Sequence, residues 1–329
     1  MAVVGNTVLT YADLANRLGE DGRVQRGIIE MLNQTNEILE DMAIVPCNSG
    51  IVHRTTVRTG LPTAAWRLLN YGIPRSKSTT ASVTDTVGML EAYSEVDARL
   101  VQLSGDPAAF RLSEARPFVE SMNQTMAATT FYGNTRVNPE RFLGLAPRFS
   151  SLSAASGANI IDAGGLGVDN TSMWLVVWGD QTVHGIYPDT SPAGLQQQDL
   201  GEQTLTDPNG NLYQGYRDHW MWDLGLTVRD WRYIVRVANI DVSDLSNTTN
   251  QKALINYMVQ AEEKVQNLNG GRAAWYVNRT VRAALRFGVL EKIANNLTEE
   301  NVAGRVVVRF NGIPVRQVDQ IVNNEARVV

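Results

Sequence analysis

Histidine, cysteine and paired carboxylates supply most catalytic and metal sites, and this sequence uses them sparsely. Its three histidines, His53, His184 and His219, lie far apart in the chain, and none has a ligand partner at metal-site spacing. Each reads as a packed or surface histidine. Cys47 is the only cysteine, so no intrachain disulfide can form, and nothing near it supplies further metal ligands. It reads as a small buried apolar residue. Asp218-His219 resembles part of a triad by adjacency alone, and no G-x-S-x-G elbow supplies a nucleophile. The run Ala163-Gly164-Gly165-Leu166-Gly167 is followed by no Lys-Ser/Thr and preceded by no clear strand. It is neither a phosphate loop nor a dinucleotide fingerprint, and reads as a flexible connection. Aspartates and glutamates are scattered rather than coupled. The expectation is no catalytic residue, no metal, no cofactor and no enzyme.

Composition narrows the class further. The 329 residues are 43% hydrophobic and 19% charged, values of an ordinary globular chain with a sizeable core. The formal charge of -5 argues against a general nucleic-acid binder. Arginines outnumber lysines 25 to 4. That skew suits two-pronged contacts with carboxylates between proteins, and equally a GC-rich genome. No apolar run approaches the roughly 18–20 residues of a membrane helix. Residues 1–10 lack a secretory pattern, so the chain is expected in a cytoplasm, without a membrane partner.

The elements that would position a site are mixed. Residues 1–48 read as an arm with short helices over 11–18 and 27–39, too little to bury a core alone. A strand is expected over 51–59 and another over 93–103, where Val96, Ala98 and Leu100 alternate with Glu95, Asp97 and Arg99. A helix follows, capped by Ser104 or Asp106, with Pro107 in its first turn and Gly133-Asn134 as its stop. Phe118, Met122 and Met126 give it a core stripe, and Pro117 should kink or divide it. Strands over 173–178 and 182–187 flank Gly179-Asp180 as a hairpin, and 203–205 and 212–216 flank Asp207-Pro208-Asn209-Gly210 as a second. A β-rich run spans 224–240, and a helix spans 248–268 with Leu254, Met258, Ala261, Val265 and Leu268 on one face. A strand over 273–277 runs into a helix capped by Asn278. The last hairpin is 305–310 and 313–318 around Asn311-Gly312, with Pro314 marking an edge strand. Without regular βαβ alternation, the class is α+β.

Between the strands at 51–59 and 93–103 lie about 30 residues with no helix or strand period, and loops of that length are usually functional or disordered. This one carries Trp66, Leu68, Leu69, Tyr71 and Ile73, so it is not read as disordered. Large side chains on an extension without a core must bury against another surface. These five are the candidate inter-subunit contacts. The competing reading is a loop folded back over its own domain.

The order of parts resembles that of tailed-phage major capsid proteins, the fold named after the Hong Kong phage. Local stretches resemble capsid proteins of some short-tailed phages: TSMWLVVWGDQTVHGIYP (171–188), YRDHWMWDLGLTVRDWRYIVRVANID (216–241), WYVNRTVRAAL (275–285), GIPVRQVD (312–319) and FRLSEARPFVESMNQT (110–125). The resemblance implies an N-terminal arm (1–48), an extended β-hairpin loop (49–103), and the spine helix of a peripheral domain (104–150). Residues 151–329 would be an axial domain with a central sheet plus returning strands of the peripheral domain. It implies a virion protein, self-assembled in the host bacterial cytoplasm into pentamers and hexamers of an icosahedral head. Implied partners are a separate scaffolding protein, a cement or decoration protein, a portal, and double-stranded DNA enclosed without sequence-specific binding. Some members of that family join subunits through a Lys–Asn isopeptide bond, but Lys77, the only lysine of the extension, has no identifiable Asn partner. The rivals are an encapsulin-like nanocompartment shell and, from another class, a soluble β-rich enzyme or carbohydrate-binding protein.

Overall fold

The computed structural model describes residues 36–290, 297–302 and 305–329. The helix expected over 11–18 and most of that over 27–39 lie outside the described residues; of the arm at 1–48 the structure describes a single helical turn, α1 (Ile38–Asp41), and the short strand after it. There follow β1 (Ile44–Pro46), β2 (Val52–Gly60), β3 (Thr79–Asp97), α2 (Ala98–Leu103), α3 (Pro107–Tyr132), β4 (Ile160–Asp162), β5 (Asn170–Trp178) and β6 (Val183–Tyr187). Then come β7 (Leu195–Thr206), β8 (Leu212–Val228), β9 (Ile234–Asp241), α4 (Thr248–Lys264), β10 (Arg272–Val277), α5 (Arg279–Leu290), β11 (Leu297–Val302), β12 (Arg305–Phe310) and β13 (Ile313–Gln317). Among the described residues two compact units emerge, one of residues 89–126 and 194–223, the other of 36–88, 127–193 and 224–329.

The larger unit is organised around β5. Its sequence NTSMWLVVW is buried at every position, as expected of a strand covered on both faces. β9 and β10 flank it, both antiparallel. On one face Met173, Leu175 and Val177 meet Leu254, Met258 and Ala261 of α4, together with Val281 and Leu285 of α5. On the other, Trp174 meets Phe131 and Phe149, and Trp178 meets Tyr276 edge-on. The Asn278 carboxamide accepts from Val281 N at 2.8 Å, satisfying an orphan donor at the start of α5 as the sequence predicts. Asn311 and Gly312, at φ 47° and 84°, make the left-handed pair of a tight hairpin turn between β12 and β13.

The smaller unit packs α3 on strands. Ala115 and Met122 meet Trp220, with Leu90, Ala92, Phe118 and Trp222 alongside. A second cluster joins Val96, Leu100, Val101 and Phe110. β7 and β8 pair antiparallel from Leu195↔Trp222 to Thr206↔Leu212. Their turn closes on the Asp207 carboxylate, which accepts from the backbone of Asn209 and Asn211.

Several sequence expectations are corrected. Residues 93–103 are not one strand: β3 ends at Asp97, whose carboxylate accepts from Arg99 N at 2.7 Å and caps α2. Val96, Ala98, Leu100 and Val101 are all buried, and so short a run satisfies both periods. β3 begins at Thr79, shrinking the featureless stretch to 61–78. Much of its first half is exposed, so no apolar alternation announced it.

α3 does not divide at Pro117 but runs on to Tyr132, with Ala115 before the proline and Met122 after it packed in one cluster. β5 and β6 do not form a hairpin. They meet only at Trp178↔Val183, in parallel, while β6 pairs with β8 and β1 instead. The Thr182 hydroxyl donates to Val177 O at 2.6 Å, fixing that crossing. The glycine-rich run is laced to β9 rather than left loose: Ala163 N donates to Ala238 O and Gly165 N to Asn239 O. A Cβ on Gly165 would sit 2.6 Å from Asn239 O, which explains the glycine there. β13 is no edge strand, since it pairs with β12 and also, in parallel, with β10. Pro314 is tolerated because the β10 ladder begins one residue later, at Val315.

Candidate assembly surface

β2 and β3 form one antiparallel hairpin, in register from Val52↔Thr86 to Gly60↔Thr79, with a bulge between Arg58 and Gly60. At its root His53, Thr55 and Asp85 are buried. Three arrangements hold that root. The Arg148 guanidinium donates to Asp85 Oδ1 at 2.7 Å and also to Leu143 O and Leu226 O. The Asn48 carboxamide donates to Arg54 O at 2.7 Å and accepts from Arg54 N at 2.9 Å, imitating a strand partner for β2. His53 and His184 meet edge-to-face, ring centres 5.3 Å apart. Burial, then the neighbouring His53 and Arg229, push His184 down to about 4, against the partial offset of Asp180. His53 is lowered as well, first by burial and then by Arg229, with Asp85 opposing.

Beyond Thr55 the hairpin is exposed or only half-buried, because its residues there alternate Thr with Arg, Val and Gly rather than with large apolar side chains. Nine residues at about 3.3 Å each place the far end of β2 roughly 25–30 Å from its start. The tip, residues 61–78, is tied only lightly. Ser76 Oγ donates to Thr63 O at 2.9 Å, the Thr59 and Thr79 hydroxyls lie 3.1 Å apart, and Tyr71 N donates to Leu68 O.

All five sequence-predicted contact residues sit on this tip, and all are exposed, from 56% for Ile73 to complete exposure for Trp66. Among the described residues nothing covers them. Leu61, read from sequence only as part of a turn, is exposed beside them at 81%.

Among the described residues no three His, Cys, Asp or Glu side chains are placed to hold a metal ion. Cys47 is buried, and burial followed by Asp189 raises its thiol pKa, the reverse of a reactive cysteine. Asp218 pairs with Arg111 at 3.0 Å while His219 Nε2 meets Glu91 at 2.9 Å, so the two adjacent residues form no relay. The contact between His53 and His184 was not legible in sequence, since 131 positions separate them and neither lies in a motif. No helix among the described residues is long and apolar enough to cross a membrane.

A mixed helix-and-sheet subunit of this kind has a counterpart in a phage particle. The structure is similar to a chain of bacteriophage Epsilon15, at 40% sequence identity over 100% of this chain and 99% of that one, with a TM-score of 0.77. Weaker likenesses include the capsid of a native GTA particle (11% identity, 66% of this chain, 94% of that one, TM-score 0.46). Another is the SrpI encapsulin complex of Synechococcus elongatus (12% identity, 70% and 96%, TM-score 0.45). No curated protein gives a match. The fold is therefore the Hong-Kong-type capsid fold that the order of parts predicts. Residues 19–329 match the family Major capsid protein GP7, and the chain belongs to it, a structural subunit of a phage head.

Proposed function

We propose that copies of this chain tile as pentamers and hexamers into an icosahedral shell around double-stranded DNA, with the tip at 61–78 lying across a neighbouring copy. One observation supports this above others: Trp66, Leu68, Leu69, Tyr71 and Ile73 ride on a hairpin tied at its root and have no cover among the described residues. Burying one such side chain is worth roughly 1.5–3 kcal/mol, so several together favour a partner strongly. In this reading residues 1–48 are an arm passing beneath a neighbour, 49–103 the extension, and 104–150 the spine-helix region of a peripheral domain. Residues 151–329 are the axial domain with returning peripheral strands. Assembly takes place in the host cytoplasm with a separate scaffolding protein and a portal, and a cement protein reinforces the shell. The subunit performs no chemistry of its own, and the enclosed DNA is held without sequence-specific contacts. An acidic subunit suits an inner wall that must not grip its genome.

The test uses Trp66→Ala and Leu69→Asp. Both variants should keep the circular dichroism of the parent and fail to sediment as shells. Normal shells from both would remove the tip from the mechanism.

A further inference from the structure

The chain carries a formal charge of -5, yet one cavity on its larger unit has the opposite balance. Three arginines, Arg136, Arg236 and Arg327, line it, with Glu325 as the one carboxylate. Its volume of about 530 Å³ falls in the range of about 300–1,000 Å³ common to ligand pockets. Glu325 does not serve all three cations. Its carboxylate accepts from the Tyr132 hydroxyl at 2.5 Å, the Ser172 hydroxyl at 2.7 Å and the Arg236 guanidinium at 2.8 Å. Arg236 is only 4% exposed, lies over the Trp174 ring and donates again to Phe149 O. That pair closes on itself and is neutral. Arg136 and Arg327 differ, since both are exposed and neither meets a carboxylate among the described residues. Leu143, Pro147 and Val322 add apolar wall to the same cavity.

We propose that this cavity receives an acidic peptide segment of a partner protein, its carboxylates held by Arg136 and Arg327 and its apolar side chains resting on Leu143, Pro147 and Val322. The proposal stands apart from the contact of the tip, because no residue of 61–78 lines the cavity. Guanidinium groups grip carboxylates in two-pronged fashion, which fixes orientation as well as strength. Duplex phosphate suits the charge but not the place. A double helix is too broad to enter a cavity of this size, and its backbone brings no apolar surface to the walls. A small oxyanion would enter and leave the apolar wall bare. A segment that interleaves carboxylates with apolar side chains uses both parts of the lining.

The test adds fluorescently labelled pentapeptides, capped at both ends, to the purified full chain and follows their anisotropy. Two glutamates are set one, two or three positions apart among leucines. At least one spacing should bind saturably, and its glutamine counterpart should bind about tenfold more weakly. Arg136→Ala combined with Arg327→Ala should cost a similar factor. Circular dichroism and the urea midpoint of that variant should stay those of the parent, because both side chains are exposed. Arg136→Lys with Arg327→Lys should fall between, keeping the charge and losing the planar fork. Failure of every glutamate peptide to bind would sink the proposal. So would glutamine peptides that bind equally well, since the apolar wall would then act alone. Inorganic phosphate that displaces the peptide at equal concentration would make the cavity a general oxyanion site, and a short DNA duplex that does so would give it to nucleic acid. Either result overturns the peptide reading. If the paired alanine variant altered only the sedimentation of the chain with itself and left peptide binding intact, the occupant would be a second copy and the proposal would fall.

Discussion

The two ends of one hairpin obey opposite rules. At the root, polar and titratable groups are buried, with Asp85 against Arg148 and His53 against His184. At the tip, large apolar side chains stand in solvent with nothing among the described residues over them. The usual sorting of apolar inside and polar outside is inverted along a single pair of strands. The difference separates two jobs: the root is held by the fold of its own subunit, and the tip, on the tiling proposed above, would find its burial on a second copy. A hairpin anchored loosely at its base could not present the tip in a fixed place, so the proposed contact depends on the root's polar contacts as well as on the tip's exposure.

Breaking the root should have the largest effect on the isolated subunit. In Arg148→Ala, Asp85 stays buried at 5% exposure, its Oδ1 loses its salt bridge, and its Oδ2 already has no partner among the described residues. Stranding a buried carboxylate in this way costs about 3–5 kcal/mol. Denaturant unfolding should show that loss, and adding Asp85→Ala to Arg148→Ala should return part of it. A cost below about 1 kcal/mol would mean the root is not held as described.

Acid should loosen the same root by a smaller amount. The ordinary histidine value is 6.5, and His184 in the fold lies near 4, so the unfolded chain takes up its proton first. Stability from keeping this ring neutral is therefore complete above about pH 6.5 and is lost progressively as the pH falls toward 4. At about 1.4 kcal/mol per pH unit, the full loss is about 3 kcal/mol. His53, also lowered, adds to the loss in the same direction. Urea unfolding at a series of pH values should show the slope, and His184→Leu should flatten it. A wild-type profile flat from 6.5 to 4 would contradict the buried pair.

The sequence made some of this comparison legible and hid the rest for identifiable reasons. β5 and α4 are plain because burial imposes a clear pattern, a continuous apolar run in one and a period of 3.6 in the other. The tip is legible too, since Trp66, Leu69 and Tyr71 are conspicuous where no element could bury them. The first half of β3 is hidden because exposed strands carry no apolar alternation. The root is hidden for a different reason: Asp85, Arg148, His53 and His184 are single residues from four separate stretches, and only the folded chain joins them. Pro314 misled because the register of a neighbouring strand, which decides whether a missing N–H matters, is not written locally.

The smallest expected effect sharpens the contrast most. Trp66 is completely exposed, so truncating it removes no buried area from the subunit, and Trp66→Ala should shift unfolding stability by no more than about 0.5 kcal/mol. An ordinary core tryptophan such as Trp174, fully buried between Phe131 and Phe149, would cost about 3–5 kcal/mol on the same change. The two substitutions remove the same atoms, so the gap between them measures location alone. If Trp66→Ala destabilised the isolated subunit as Trp174→Ala does, the tip would have to be folded onto its own chain in solution, and the contact would have to displace it first. A near-silent Trp66→Ala in unfolding, paired with loss of shells in sedimentation, would put the whole of that side chain's burial in the neighbour.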